Sequence, residues 1–135
     1  MDRCARHPLA RALRPGDLVL AALQDTALAY LREDGDAIPF WRMATTPVDV
    51  LRKRAAAFTD LGDLVDVRST PGGGTLPGVE IPSIGIARAG DHRAALRDRE
   101  RPVIARVEDD ATVLDLRTIH PDDDDDVAAA LRGLG

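Results

Sequence analysis

Two arginines, Arg11 and Arg14, stand three residues apart in the segment His7-Pro8-Leu9-Ala10-Arg11-Ala12-Leu13-Arg14. At that spacing two planar guanidinium forks can lie on one side of a turn and meet a single anion. A phosphate-like oxyanion suits such paired, charge-assisted donors. The other candidate chemistries are weaker. Gly72-Gly73-Gly74 can offer backbone N–H groups to an anion, but no helix start follows directly. No Lys-Ser or Lys-Thr follows it either, so it is not a P-loop, and a close-packed turn is the favoured reading. Lys53 is the only lysine. It falls two residues after Leu51, about 200° around a helix, and is expected to face solvent. Cys4 is alone, which excludes an internal disulfide and suits a reducing cytosol. His7, His92 and His120 lack metal-ligand spacing and read as surface or capping residues. The run Asp122 to Asp126 reads as acids in a first helical turn, where the macrodipole favours them. Successive helix positions point in different directions and cannot converge on one ion. No serine–histidine–acid set can be argued from chain order alone. No catalytic, cofactor or metal residue is therefore assigned, and Arg11 and Arg14 remain as the anion-binding candidates.

The elements that must position these residues are built with few aromatics: Tyr30, Phe40, Trp41 and Phe58. A core in 135 residues must then come mainly from Leu, Ile, Val and Ala, and the length suffices for one without metal or disulfide staples. Arginine outnumbers lysine seventeen to one, a bias read as coding composition before function. The net charge of −5 excludes general affinity for nucleic acid. No apolar run reaches the length of a membrane span, and the N-terminus is too polar for a secretory signal.

Asp17 is expected to cap a helix from about Leu18 to Arg32, with Leu20, Leu23, Ala27, Leu28 and Leu31 forming a wide apolar face for another domain or subunit. Glu33-Asp34-Gly35-Asp36 ends it, and Ile38 to Met43 reads as extended. Thr46-Pro47-Val48-Asp49 reads as a helix start, with Thr46 capping and Pro47 first in the helix. Leu51, Ala55 and Phe58 form its core stripe, and Gly62 a stop. Strands are expected at 64–69, 82–89, 102–108 and 112–118, the last two joined by Asp109-Asp110-Ala111. Helices are expected at 91–99 and from Pro121 onward. Strand pairs interleaved with helices imply an α+β two-layer sandwich preceded by a linking helix.

Three separated motifs carry a longer likeness. They are the Arg-Ala-Leu-Arg segment, Gly72-Gly73-Gly74-Thr75-Leu76-Pro77-Gly78, and Pro102 to Asp109 followed by Leu114-Asp115-Leu116-Arg117-Thr118. Together they resemble the C-terminal part of bacterial selenocysteine synthase, L-seryl-tRNA(Sec) selenium transferase. The resemblance implies a fold-type I pyridoxal-phosphate enzyme that makes selenocysteinyl-tRNA(Sec) from seryl-tRNA(Sec) and selenophosphate and forms homo-oligomers. It implies that residues 1–34 correspond to the end of the large domain and its linking helix, and 36–135 to the small C-terminal domain. It also implies that Arg11 and Arg14 help to bind the phosphate-like selenium donor.

The departures matter as much. The family's cofactor lysine lies upstream of Arg-Ala-Leu-Arg, where this chain has only a few residues, and Lys53 cannot replace it. Pro15-Gly16-Asp17 follows Arg14 where the family usually has Val-Asp-Lys, placing an acid where a lysine is expected. Pyridoxal phosphate is thus not expected on the isolated chain, and tRNA contact is expected to be weak or absent. Many fold-type I enzymes use an arginine near the position of Arg117 for a substrate carboxylate, but the carboxylate of the aminoacyl ester implied here is already masked, so an ion pair with Asp115 or Glu108 is expected instead. The leading expectation is a transferase-like fragment, not catalytic alone, with a large-domain partner or a second copy docking on the Leu18 to Arg32 helix. The alternative is a stand-alone α+β binding or oligomerisation module.

Overall fold

The computed structural model describes residues 16–72 and 78–134. The chain divides into two compact units, 1–42 and 43–135.

In the first unit, helix α1 spans Asp17–Leu31 and begins at Gly16, whose extended backbone forms the N-cap without a side-chain bond. Asp17 is therefore not the cap: it stands in the first turn, where the macrodipole favours an acid. α1 buries none of its residues. Its end turns through Glu33 in the left-handed region (φ 54°), with Glu33 N–H on Tyr30 O and Asp34 N–H on Ala29 O. Asp34 Oδ1 then accepts from the backbone N–H of Asp36 and Ala37, a side-chain-built turn. The expected extended stretch at 38–43 is helical instead: α2 covers Pro39–Thr45, and its last residues, from Met43 on, belong to the second unit. A short apolar run does not separate strand from helix by period, and Pro39 supplies the fixed φ of a first helical residue. Tyr30, Phe40 and Trp41 pack their rings together, with centroids 5.3 to 6.4 Å apart.

The second unit holds the core. Helix α3, Val48–Ala55, runs into a 3-10 turn at Ala56–Phe58. Its N-cap is Pro47, one residue later than expected, so Thr46 lies before the cap. Strand β1 (Asp63–Ser69) pairs antiparallel with β2 (Ile81–Ala89), β2 with β4 (Ala111–Asp115), and β4 with β3 (Arg106–Glu108). The sheet order is β1-β2-β4-β3. Helix α4 (Arg93–Arg97) links β2 to β3, and α5 (Asp124–Arg132) follows a 3-10 turn at Pro121–Asp123. One sheet face presents Ile84, Ile86 and Leu114, with Leu116 just beyond, to Leu51, Ala55, Phe58, Leu96, Val127 and Leu131 of the helical layer. The unit is thus an α+β fold of helices over a four-stranded antiparallel sheet.

Two glycines permit close approach. A Cβ on Gly62 would fall 2.6 Å from Ala87 O, so Gly62 lets the chain enter β1 against β2 and does not simply stop a helix. A Cβ on Gly85 would crowd Leu114 O, Val113 and Val67 at 3.0 to 3.1 Å.

The last strands are shorter than their sequence suggested. Pro102 to Ala105 stay outside the ladder; Pro102 has no N–H to give, and Val103 N–H bonds Leu96 O. β4 stops at Asp115, because Asp115 Oδ1 accepts the Arg117 N–H and Asp115 O accepts both the N–H and the hydroxyl of Thr118, closing a turn. The helix expected at 91–99 forms over Arg93–Arg97 only. The hairpin between β3 and β4 uses just two residues, Asp109 and Asp110 (φ 48° and 59°). Positive φ at both positions matches the right-handed twist of the strands, and Asp tolerates it.

Candidate functional site

Arg11 and Arg14, the candidates for anion binding, lie outside the described residues, as do residues 73–77 of the glycine-rich loop. The roots of that loop are described. Ser69 ends β1 opposite Ile81, the first residue of β2.

Those roots meet a buried polar cluster at the end of β4. Asp115, 6% exposed, accepts the Ser69 hydroxyl, and also the Ser83 hydroxyl at 2.5 Å. Arg106 approaches the same carboxylate at 3.8 Å. Arg117, 3% exposed, departs from expectation. Its guanidinium donates to backbone carbonyls: Nη1 to Met43 O (2.5 Å) and Thr46 O (2.8 Å), and Nη2 to Pro82 O (2.6 Å). Its side chain pairs with neither Asp115 nor Glu108; Glu108 pairs with Arg106 at 2.7 Å. The reason lies in the supply of acceptors. The last carbonyls of α2 have no partner within their own helix, and a five-donor fork satisfies several at once. Burial lowers the Arg117 pKa below the ordinary arginine value, and the Asp115 charge opposes that shift. Arg117 Nε has no partner among the described residues.

Two further arginines work alike, and sequence reading missed both. Arg54 donates to Leu116 O, Ile119 O and His120 O and forms an ion pair with Asp124. Arg88 donates to Leu61 O, Leu131 O and Leu134 O, the latter two at the end of α5. Arg88, between Ala87 and Ala89, carried a signal, an arginine inside an apolar strand; Arg54 carried none, because it follows Arg52 and Lys53 in a charged run. The seventeen-to-one arginine bias therefore has structural use, because lysine lacks the fork.

Other sequence candidates sit on the surface. Lys53 is exposed on α3, as expected. His120 caps the 3-10 turn, its Nδ1 accepting the Asp122 N–H, and His92 precedes α4 with Nε2 2.8 Å from Ala89 O. Three of the five aspartates hold arginines: Asp124 holds Arg54, and Asp123 and Asp126 hold Arg101. Among the described residues no three His, Cys, Asp or Glu side chains gather as a metal site would need. An open cleft of about 510 Å³ lies between Pro102–Ile104, Ile119–His120 and the start of α5, with Arg101 and its two aspartates on the rim. No described helix is long and apolar enough to cross a membrane.

This geometry defines a class: a small α+β domain whose buried polar groups hold backbone segments in place, with no enclosed catalytic centre among the described residues. The particular family comes from comparison. The L-seryl-tRNA selenium transferase family profile matches residues 1–120, and the chain belongs to that family. Proteins named L-seryl-tRNA(Sec) selenium transferase are similar along most of the chain. The one from Moorella thermoacetica is 37% identical over 94% of the chain, which is 31% of its own length. The Nitratidesulfovibrio vulgaris protein is 34% identical over 98% of the chain and 32% of its own length. The Aquifex aeolicus protein is 31% identical over 91% of the chain and 30% of its own length. The chain thus spans less than a third of the length of these relatives.

Proposed function

We propose that this chain is the C-terminal part of an L-seryl-tRNA(Sec) selenium transferase-like protein. It serves the conversion of seryl-tRNA(Sec) to selenocysteinyl-tRNA(Sec) with selenophosphate as donor, in the cytoplasm, and is not catalytic alone. The carrying observation is the family match over residues 1–120, joined to coverage of 30–32% of the relatives. Residues 1–34 correspond to the end of the large domain with its linking helix, and 36–135 to the small domain. Arg11 and Arg14 give the selenium donor two forks for its phosphate-like oxyanion.

The family's cofactor, pyridoxal phosphate, does not fit the described residues. It needs an enclosed lysine, and Lys53 stands exposed among Arg52 and Arg54 on α3, far around the helix from the buried Leu51. The cofactor and the tRNA are therefore taken up by the remainder of a relative-length protein. α1 is the surface on which that remainder, or a second copy, docks. Leu18, Leu23 and Leu31 are 85%, 57% and 80% exposed, more apolar surface than a solvated helix ordinarily shows.

Complementation tests this reading. The chain mixed with a separately produced large-domain portion of a relative should restore selenium transfer that neither piece shows alone. Arg11→Ala with Arg14→Ala should lower that activity by about a hundredfold, the order of loss when a charge-stabilising donor is removed. An inactive mixture would favour a stand-alone module. An active mixture indifferent to the double substitution would remove Arg11 and Arg14 from donor binding while leaving the assignment intact.

A further inference from the structure

We propose that Asp115 and Arg117 form a two-headed clamp that couples the C-terminal end of α2 to the root of the glycine-rich connection between β1 and β2, so that displacement of one displaces the other. The inference does not depend on the transferase reading. One head is the Asp115 carboxylate, which holds Ser69 at the end of β1 and Ser83 in β2. The other is the Arg117 guanidinium, which holds Met43 O and Thr46 O at the end of α2 and Pro82 O in β2. The heads share two links. The Arg117 backbone N–H donates to Asp115 Oδ1 at 3.0 Å, the oxygen that also accepts from Ser83. They also grip adjacent residues of one strand, Pro82 and Ser83. These bonds close a ring through β2 and the end of β4.

Burial makes the ring stiff. Ser83, Asp115 and Arg117 are 2%, 6% and 3% exposed, so a broken bond there is not readily replaced by water. If the Ser69 and Ser83 hydroxyls shift, the carboxylate must turn, and it carries the Arg117 backbone with it. The bare Nε fits a fork fixed in place by its two terminal nitrogens.

Amide hydrogen exchange on the full chain tests the coupling. Ser69→Ala with Ser83→Ala is a mild change that removes only the first head's hydroxyls. It should speed exchange at 43–48 by about tenfold, the order set by weakening one charge-assisted bond. Arg117→Lys should likewise speed exchange at 63–72, where it removes no bond directly. Exchange in α5 should stay at the wild-type rate in both variants, which separates coupling from general loosening. Faster exchange only beside each substituted residue would overturn the clamp and leave two independent anchors. A uniform rise that includes α5 would overturn it as well.

Discussion

Helices α1 and α3 invert the usual relation between composition and burial. α1 is 15 residues long, carries only Asp17 and Asp25 as charges, and buries nothing. α3 is 8 residues long, half of them charged, and buries Leu51 and Ala55 completely or nearly so. What separates them is arrangement. In α3 Leu51 and Ala55, with Val48 packed beside them, fall on one stripe that a sheet face receives, while Val50, Arg52 and Lys53 are exposed. In α1 the apolar residues spread around much of the circumference, as in a helix enclosed by other protein. The contrast teaches that neither length nor apolar content decides burial: α3 is buried where its stripe meets a sheet face, and α1 keeps its apolar residues exposed.

The largest expected effect sharpens that contrast. Leu51→Ala should cost about 3 kcal/mol of unfolding free energy, since it opens a cavity among Ala55, Phe58 and the sheet. Leu20→Ala, on the 45% exposed α1 site, should cost within about 0.5 kcal/mol. Urea denaturation measures both, and equal losses would end the distinction. Next, Leu20→Asp with Leu28→Asp should raise the monomer fraction in sedimentation velocity while circular dichroism stays unchanged. A chain that is monomeric before and after substitution would leave α1 for a different protein instead of a second copy.

The smallest effect is electrostatic and lies on the surface of the second unit. Arg93 donates to Asp91 from its side chain and backbone and holds that carboxyl at about 2, below the ordinary 3.8. Because the folded value is depressed, the contribution is present above about pH 4 and is lost as pH falls toward 2. Arg93→Ala should move the Asp91 titration, followed by NMR, back toward 3.8 while scarcely changing the melting temperature at neutral pH. A large fall in that temperature would show a surface pair acting like a core residue.

Much of the second unit was legible because its signals are local. The 4-and-3 spacing of Leu51, Ala55 and Phe58 marks a core stripe, and all three are buried. Alternation places Val67 inward and Asp66 and Arg68 outward, and the strand forms at Asp63–Ser69. The 38–43 segment was misread because six residues with four apolar side chains, Ile38, Phe40, Trp41 and Met43, fit either period. The fate of Arg117 was illegible for a different reason. Its partners, Met43, Thr46 and Pro82, are 35 to 74 positions away, and they are carbonyls, which every residue carries. No side-chain pattern can announce a bond to a main-chain oxygen.

The sequence by itself determined the family, through motifs that run from Arg11 to Arg117, and the α+β class, through hydrophobic period and turn residues. Both are properties of residue order. Only the tertiary structure decided which arginines are buried staples and which are surface ion-pair partners. It also decided that Gly62 serves a close approach to Ala87 O, and that Asp115 and Arg117 bond Ser69, Ser83, Met43 and Thr46. Those outcomes depend on which backbone groups folding leaves without a partner, and that is settled only when distant segments meet.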